Sequence, residues 1–311
     1  MAPGTPARIC SLLPSATEIV FALELGDRLV AVTHECDHPP EVTRLPVITR
    51  SALDHGGRWG RETHADVARA LHAGSSLYEL DEALLRKLAP DLILTQELCA
   101  VCAVSYATVR MAVRRLEGTP RILSLEPTSL DGILETVLAV GDAAGVAEGA
   151  RDVVRQLRAR IARIAGAAGG ILARPRVLAL EWLDPPFVGG HWVPEMMRLA
   201  GGTDGLGREA APSREVAWPE ITAYAPEVIV LMPCGFDLAR TLEELRHAVL
   251  PRAWDDLPAT RAGRVYAVDG SAYFNRPGPR IVDGLEILAE ILHPERFRRT
   301  HDSRAWRCLT G

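Results

Sequence analysis

Lysine is all but missing from this 311-residue chain: Lys87 is a lysine and the other basic residues are arginines, a bias that by itself says nothing of function. Positive charge is also in the minority. Against 40 acidic residues there are 35 basic ones, for a formal charge of −5, and this excludes the basic footprint of a nucleic-acid binder. Long apolar runs are lacking too, since the longest stretch free of charge is 98–109, well short of the ~20 residues that cross a bilayer. Residues 1–8 contain no apolar segment of the kind a secretory leader carries, so the chain as written is expected in the cytoplasm. Six cysteines are too sparse for a disulfide framework, and reduced thiols are the expectation. Enzyme signatures are equally scarce: no GxSxG elbow, no Walker lysine loop, no GxGxxG opening a helix and no helix-borne HExxH is read. Catalysis lacks a visible nucleophile–base pair.

What is present is ordinary globular material. Apolar residues make up 48% and charged residues 24%, with 26 Gly and 22 Pro, which excludes disordered, collagenous and coiled-coil chains. At about 150 residues per domain the length divides into two domains or lobes. Short β-branched or Leu-rich runs at 9–12, 29–33, 45–48, 92–95 and 122–125, and again at 177–180, 228–232 and 265–268, alternate with helical patterns. Such alternation is the signature of βα units around a parallel sheet. Between the two sets, 147–168 place Val153, Val154, Leu157, Ile161 and Ile164 on one face and Arg151, Arg155 and Arg158 on another. That is the 3.6-residue period of one amphipathic helix, roughly 33 Å long at its rise per residue, with Gly169-Gly170 as its stop. The expected fold is therefore α/β, two Rossmann-like parallel-sheet lobes joined by one long bridging helix: an N-terminal lobe at 8–145, the bridge at 146–170 and a C-terminal lobe at 171–311. A crossover helix inside one continuous sheet is the alternative.

Ligands of open α/β sheets bind outside the carboxyl ends of the strands, so the loops that follow each strand carry the search for chemistry. After the first strand, Pro14-Ser15-Ala16-Thr17-Glu18 fits a capping box of Ser15 and Glu18 at a helix start, whose free N–H groups also suit an anion or amide. After the second comes His34-Glu35-Cys36-Asp37-His38, a run of side chains able to hold a metal or a proton. Cys99 and Cys102 form a single CxxC, which with Cys36 and His34 is a weak signal for a metal–thiolate or redox site; the same residues also read as small, soft cleft lining. Aromatics gather on the remaining loops: Trp59 in a Gly-rich stretch, Trp182 before Asp184-Pro185-Pro186, Trp192 after Gly189-Gly190-His191, Phe236 after Pro233-Cys234-Gly235, and Tyr273-Phe274 before Asn275. Arg276 and Arg280 flank the helix that follows, whose apolar face is Ile281, Leu285, Leu288 and Leu292. Flat faces with a few cations suit a large, planar, partly polar ligand.

Four stretches carry a family resemblance: Ser11-Leu12-Leu13-Pro14-Ser15-Ala16-Thr17-Glu18, Val32-Thr33-His34-Glu35-Cys36-Asp37, Gln96-Glu97-Leu98-Cys99 and Asn275-Arg276-Pro277-Gly278-Pro279-Arg280. With them the chain, from about Arg8 to Leu292, resembles the iron-siderophore/cobalamin periplasmic substrate-binding proteins of ABC importers. The resemblance implies the class III periplasmic-binding-protein fold and binding without catalysis. The ligand it implies is a corrinoid, cobalamin or a relative, held in the cleft between the lobes and delivered to a permease by a monomer that requires no cofactor. Ferric siderophore and haem binders share the architecture, and a metal–thiolate or redox protein built on Cys36, Cys99, Cys102 and His34 is the alternative from another class. By position the ligand-contacting residues would be Pro14, Ser15, Trp59, Cys99, Trp182, Trp192, Tyr273, Phe274, Asn275 and Arg276. Glu82 and Glu220 would be the acidic residues offered to the permease, and His34 or a cysteine an axial metal ligand. A periplasmic receptor carries a leader or a lipid-anchor cysteine; Cys10, inside the first strand, is not such an anchor. Either a leader has been removed or the protein is a cytoplasmic relative.

Overall fold

The computed structural model describes residues 7–52, 60, 62, 65, 78–96 and 120–309. They fall into two compact units, one of Met1–Gly56, Ala65–Pro127 and Asp131–Gln156, the other of Gly57–His64, Thr128–Leu130 and Leu157–Gly311.

The first unit runs β1 (Ile9–Ser11), α1 (Pro14–Ala22), β2 (Leu29–Ala31), β3 (Thr49–Ser51), β4 (Tyr78–Leu80), α2 (Glu82–Leu88), β5 (Leu92–Thr95), β6 (Arg121–Ser124), α3 (Leu130–Ala143) and the start of α4 (Ala147–Gly169). Its main sheet has the order β2-β1-β5-β6 with every pairing parallel. Every residue of β1 and β5 is buried, because a parallel sheet is covered on both faces and its strands read as unbroken apolar runs. Cys10, Leu12, Ala31, Ile48, Leu85 and Ile93 form the core on one side.

Two expectations are corrected here. The strand expected at 45–48 is displaced to β3, which pairs antiparallel with β4, while Val47 makes only an isolated bridge to Val32. Pro46 has no N–H to give a ladder, and this moves the pairing on. The capping box is also absent: Leu13 is the N-cap and makes no side-chain bond, and Ser15 lies inside the first turn. Pro14 is suited to the first helical position, since its missing N–H is one the helix leaves unbonded anyway, so the helix begins before Ser15.

Helix α4 has the expected face, with Val154, Leu157 and Ile164 buried and Arg151, Arg155 and Arg158 exposed. The boundary between the units falls inside it, after Gln156. Because each unit has its own sheet, α4 joins two sheets, and the single-sheet alternative is excluded.

The second unit continues with β7 (Val177–Leu183), β8 (Pro186–Val188), α5 (Val193–Leu199), β9 (Arg214–Glu215), α6 (Trp218–Tyr224), β10 (Val228–Leu231), α7 (Leu238–His247), α8 (Ala253–Asp256), α9 (Pro258–Arg261), β11 (Val265–Val268), α10 (Gly270–Tyr273), α11 (Ile281–Leu292) and β12 (Trp306–Cys308). The sheet order is β12-β11-β10-β7-β8-β9. Three parallel strands, β7, β10 and β11, form its centre, and β8, β9 and β12 close the edges antiparallel. Arg160 of α4 pairs with Asp283 and Glu286 of α11, and Arg163 forms a further ion pair with Glu286. No helix among the described residues is long and apolar enough to cross a membrane.

Candidate functional site

In the first unit the loop after β2 is bonded inward. Cys36 Sγ lies 3.1 Å from Thr17 Oγ1 and 3.2 Å from Thr33 Oγ1, and Thr17 donates to Ser11 Oγ at 2.8 Å. His34 Nδ1 meets Thr49 Oγ1 at 2.8 Å while its ring lies 5.5 Å from that of Tyr78, whose hydroxyl donates to Glu35 at 3.0 Å. His34, Glu35 and Cys36 are thus positioned by groups of their own unit. The run His34-Glu35-Cys36-Asp37-His38 does spell H-E-x-x-H, but it follows a turn into an extended segment rather than a helix, so nothing brings its imidazoles onto one face. Cys10 is fully buried, and burial, with the negative potential of Cys36 added, pushes its thiol up to about 12. Pro14 and Ser15 are buried at the start of α1. Trp59, Cys99 and Cys102 lie outside the described residues.

In the second unit the strand-end loops bring aromatics and cations together. Trp182, near the end of β7, packs against Phe236 with ring centroids 5.3 Å apart, and its indole N–H donates to Asp184 O at 3.1 Å. The Arg240 guanidinium stands over Phe236, 5.1 Å from the ring centroid. Arg280 stands over Tyr273 at 5.7 Å. Both are guanidinium–ring contacts of the kind that attracts charge to an aromatic face. Asp269 caps α10 by accepting the Ala272 N–H at 2.8 Å; burial holds its carboxyl above the usual range. The Asn275 amide nitrogen donates to Gly270 O at 2.7 Å and Pro233 O at 3.2 Å, tying the loop after β11 to the one after β10.

The expected contact residues therefore separate. Trp182 and Tyr273 are half-buried at the strand-end loops. Asn275 spends its amide nitrogen on the loops themselves. Trp192 is 7% exposed and donates to Phe274 O at 2.8 Å, and the Phe274 side chain is 0% exposed. Phe236 and Arg240 are the partners that the sequence reading did not single out as a site; the signal for them was the i, i+4 spacing across the start of α7. Glu82 and Glu220 occupy the first turns of α2 and α6. Both helices end on a left-handed alanine, Ala89 and Ala225, before a Pro and the next strand. Glu220 is paired with Arg214, which lowers its carboxyl pKa. Asp283, Glu286 and His301 bring ligand atoms within 4.8 Å of one another, yet Arg160 and Arg163 already balance the two carboxylates.

Gly284 decides how closely α11 approaches the loop that carries Tyr273. A Cβ there would come nearer to Tyr273 O than real Cβ atoms come to any neighbour, and a backbone carbonyl does not rotate away. Gly284→Ala is expected to cost about 1–3 kcal/mol, the range of overpacked cores, read as a shifted urea midpoint with unchanged slope. A variant as stable as the parent would mean that α11 and this loop are not in contact.

The family model described as Periplasmic binding protein matches residues 9–272. An uncharacterised ABC transporter substrate-binding lipoprotein of Bacillus subtilis, YvrC, is 24% identical over 302 residues, covering 94% of this chain and 82% of its own. The vitamin B12-binding protein of Vibrio cholerae serotype O1 is 24% identical over 294 residues, covering 93% and 90% respectively. Among solved structures, a periplasmic heme binding protein from Pseudomonas aeruginosa superposes with a TM-score of 0.71 at 20% identity, covering 94% of each chain.

Proposed function

Since the chain belongs to the periplasmic binding protein family, we propose that it holds a corrinoid against the aromatic faces of its second unit. The family is one of substrate-binding proteins rather than enzymes, which sets aside the redox-enzyme alternative, and membership implies a small-molecule ligand and a membrane permease as partner. The observation that carries the ligand class is the Trp182–Phe236 pair with Arg240 over it and, on the loop after β11, Tyr273 with Arg280 over it. Aromatic rings with guanidinium groups stacked on them offer flat apolar surface and cations together, which matches a planar macrocycle that bears amide and phosphate groups. The vitamin B12-binding relative from Vibrio cholerae supports the corrinoid over other chelates. Haem is the second reading, favoured by the fold shared with the Pseudomonas protein. Glu82 and Glu220, set alike in the first turns of α2 and α6, are proposed to meet the permease. The lipoprotein relative from Bacillus subtilis and the periplasmic heme binding protein from Pseudomonas aeruginosa support a place outside the cytoplasmic membrane.

Calorimetric and visible-absorbance titrations of the protein with hydroxocobalamin and with hemin test this reading. Saturable one-to-one binding of hydroxocobalamin, tighter than hemin, is expected. Trp182→Ala and Tyr273→Ala are each expected to weaken it by about tenfold or more, the effect of truncating a buried aromatic anchor. Preference for hemin would overturn the corrinoid reading, and indifference of affinity to both substitutions would overturn the site.

A further inference from the structure

Glu244 is 2% exposed in α7 and has no place in the ligand reading. Its Oε1 accepts the N–H of Gly60 at 2.6 Å. Among the described residues Oε2 accepts no hydrogen bond, and the Arg240 guanidinium stands 3.8 Å from it. Gly60 has φ +42°, a backbone region that favours glycine, and a Cβ there would lie 3.2 Å from Glu244 Oε1 and 3.4 Å from Asp184 Cβ. Asp184 O in turn receives the Trp182 indole N–H, Trp182 packs on Phe236, and Phe236 lies under Arg240. Glu244 thus holds Gly60 by a hydrogen bond and faces Arg240; Arg240 stands over Phe236, Phe236 packs on Trp182, and Trp182 bonds to Asp184, the residue a Cβ on Gly60 would meet.

We infer that Glu244 is a positioning residue, setting the Trp182–Phe236–Arg240 face for a planar ligand through the Gly60 N–H on one side and Arg240 on the other. The inference rests on the proposed ligand face. A buried carboxylate with one oxygen unbonded is costly to the fold, and what it supplies is two attachments at opposite ends of one aromatic pair. Burial raises the pKa of the carboxyl; the Gly60 N–H, Arg240 and His247 act against this, and Asp184 acts with it. Among the described residues, Arg240 and His247 on its own helix and Asp184 on the β7–β8 turn are the charged groups that act on it. As pH falls Glu244 gains its proton earlier than an ordinary glutamate. The neutral carboxyl is a weaker acceptor for Gly60 and no longer attracts Arg240, so the face loosens in acid.

The test compares the parent with Glu244→Gln, Glu244→Leu and Trp182→Phe. In ligand-free protein, tryptophan emission followed against pH is expected to show a transition above the ordinary glutamate range that disappears in Glu244→Gln and shrinks in Trp182→Phe. With hydroxocobalamin as probe, Glu244→Leu is expected to bind about tenfold more weakly or worse, while Glu244→Gln, which keeps an acceptor for Gly60, stays within about threefold of the parent at neutral pH. A transition that persists in Glu244→Gln, or a folded Glu244→Leu with parental emission and affinity, overturns the inference. If Glu244→Leu does not fold, the emission profile of Glu244→Gln decides. If the parent binds no chelate, the ligand reading fails, and the ligand-free emission still tests the positioning.

Discussion

Phe274→Ala is expected to destabilise the second unit by about 3–5 kcal/mol, the range for removing a buried phenylalanine. The side chain is 0% exposed and among the largest that are fully buried. It lies just past α10, where its N–H donates to Gly270 O at 3.0 Å and its carbonyl receives the Trp192 indole at 2.8 Å. Truncation removes the transfer energy of the ring and leaves a cavity that α11 cannot collapse into freely, because Gly284 already sits against the Tyr273 carbonyl. Urea unfolding would show a lower midpoint at constant slope. A loss below about 1 kcal/mol would mean that the ring faces solvent, as a ligand-contacting aromatic does, and would return Phe274 to the contact set in which its sequence neighbourhood placed it.

Glu290→Ala is expected to release the C-terminal tail at a cost of about 3–5 kcal/mol, as when one partner of a buried charged network is deleted. Glu290 is 4% exposed. It accepts the Thr300 N–H at 2.8 Å and hydroxyl at 2.6 Å, faces His301 Nδ1 at 3.0 Å and accepts the Trp306 indole N–H at 3.1 Å. These donors hold the segment that leads into β12, and Arg299 covers the Trp306 ring at 3.9 Å. Burial pushes the Glu290 carboxyl up, but the bonds from Thr300, His301 and Trp306 outweigh it and the pKa ends below the usual range. A depressed carboxyl pKa contributes stability that is fully present above the unfolded value and is lost as pH falls through the folded one. The tail is therefore expected to detach in acid, below the pH at which an ordinary glutamate titrates. Hydrogen exchange at the β11–β12 ladder, where Ala267 pairs with Arg307, reports it. Parental protection of that ladder in Glu290→Ala at neutral pH would show that the strand pairing alone carries the tail.

Much of the fold was legible because its signals are local. Leu92 to Thr95 and Val228 to Leu231 read as buried strands from apolar runs, and the face of α4 and the Ile281, Leu285, Leu288 and Leu292 stripe of α11 read from a period of 3.6. The edges β8, β9 and β12 were not legible: they are two or three residues long, and their identity as strands lies in pairing with distant residues rather than in their own pattern. The beginning of α1 turned on which of Leu13 and Ser15 sat outside the helix, a matter of two residues. For the candidate site, the sequence pattern pointed to aromatics on the loops after the strands but could not separate the half-buried Trp182 from the buried Trp192, since each is a tryptophan a few residues from Gly or Pro and its burial depends on distant partners such as Phe236 and Phe274.

By itself, then, the amino-acid order determined the alternation of strands and helices and the long amphipathic helix between two sheets, because each is written in runs and periods of neighbouring residues, while the family was legible in the four short motifs that carry the resemblance. Which side chains point where was decided by tertiary structure alone. Glu243 and Glu244 are adjacent and chemically identical, yet their side chains are 46% and 3% exposed. Successive residues of a helix lie about 100° apart around its axis, so the face that α7 turns to β11 and to Gly60 leaves one carboxylate in water and buries the other.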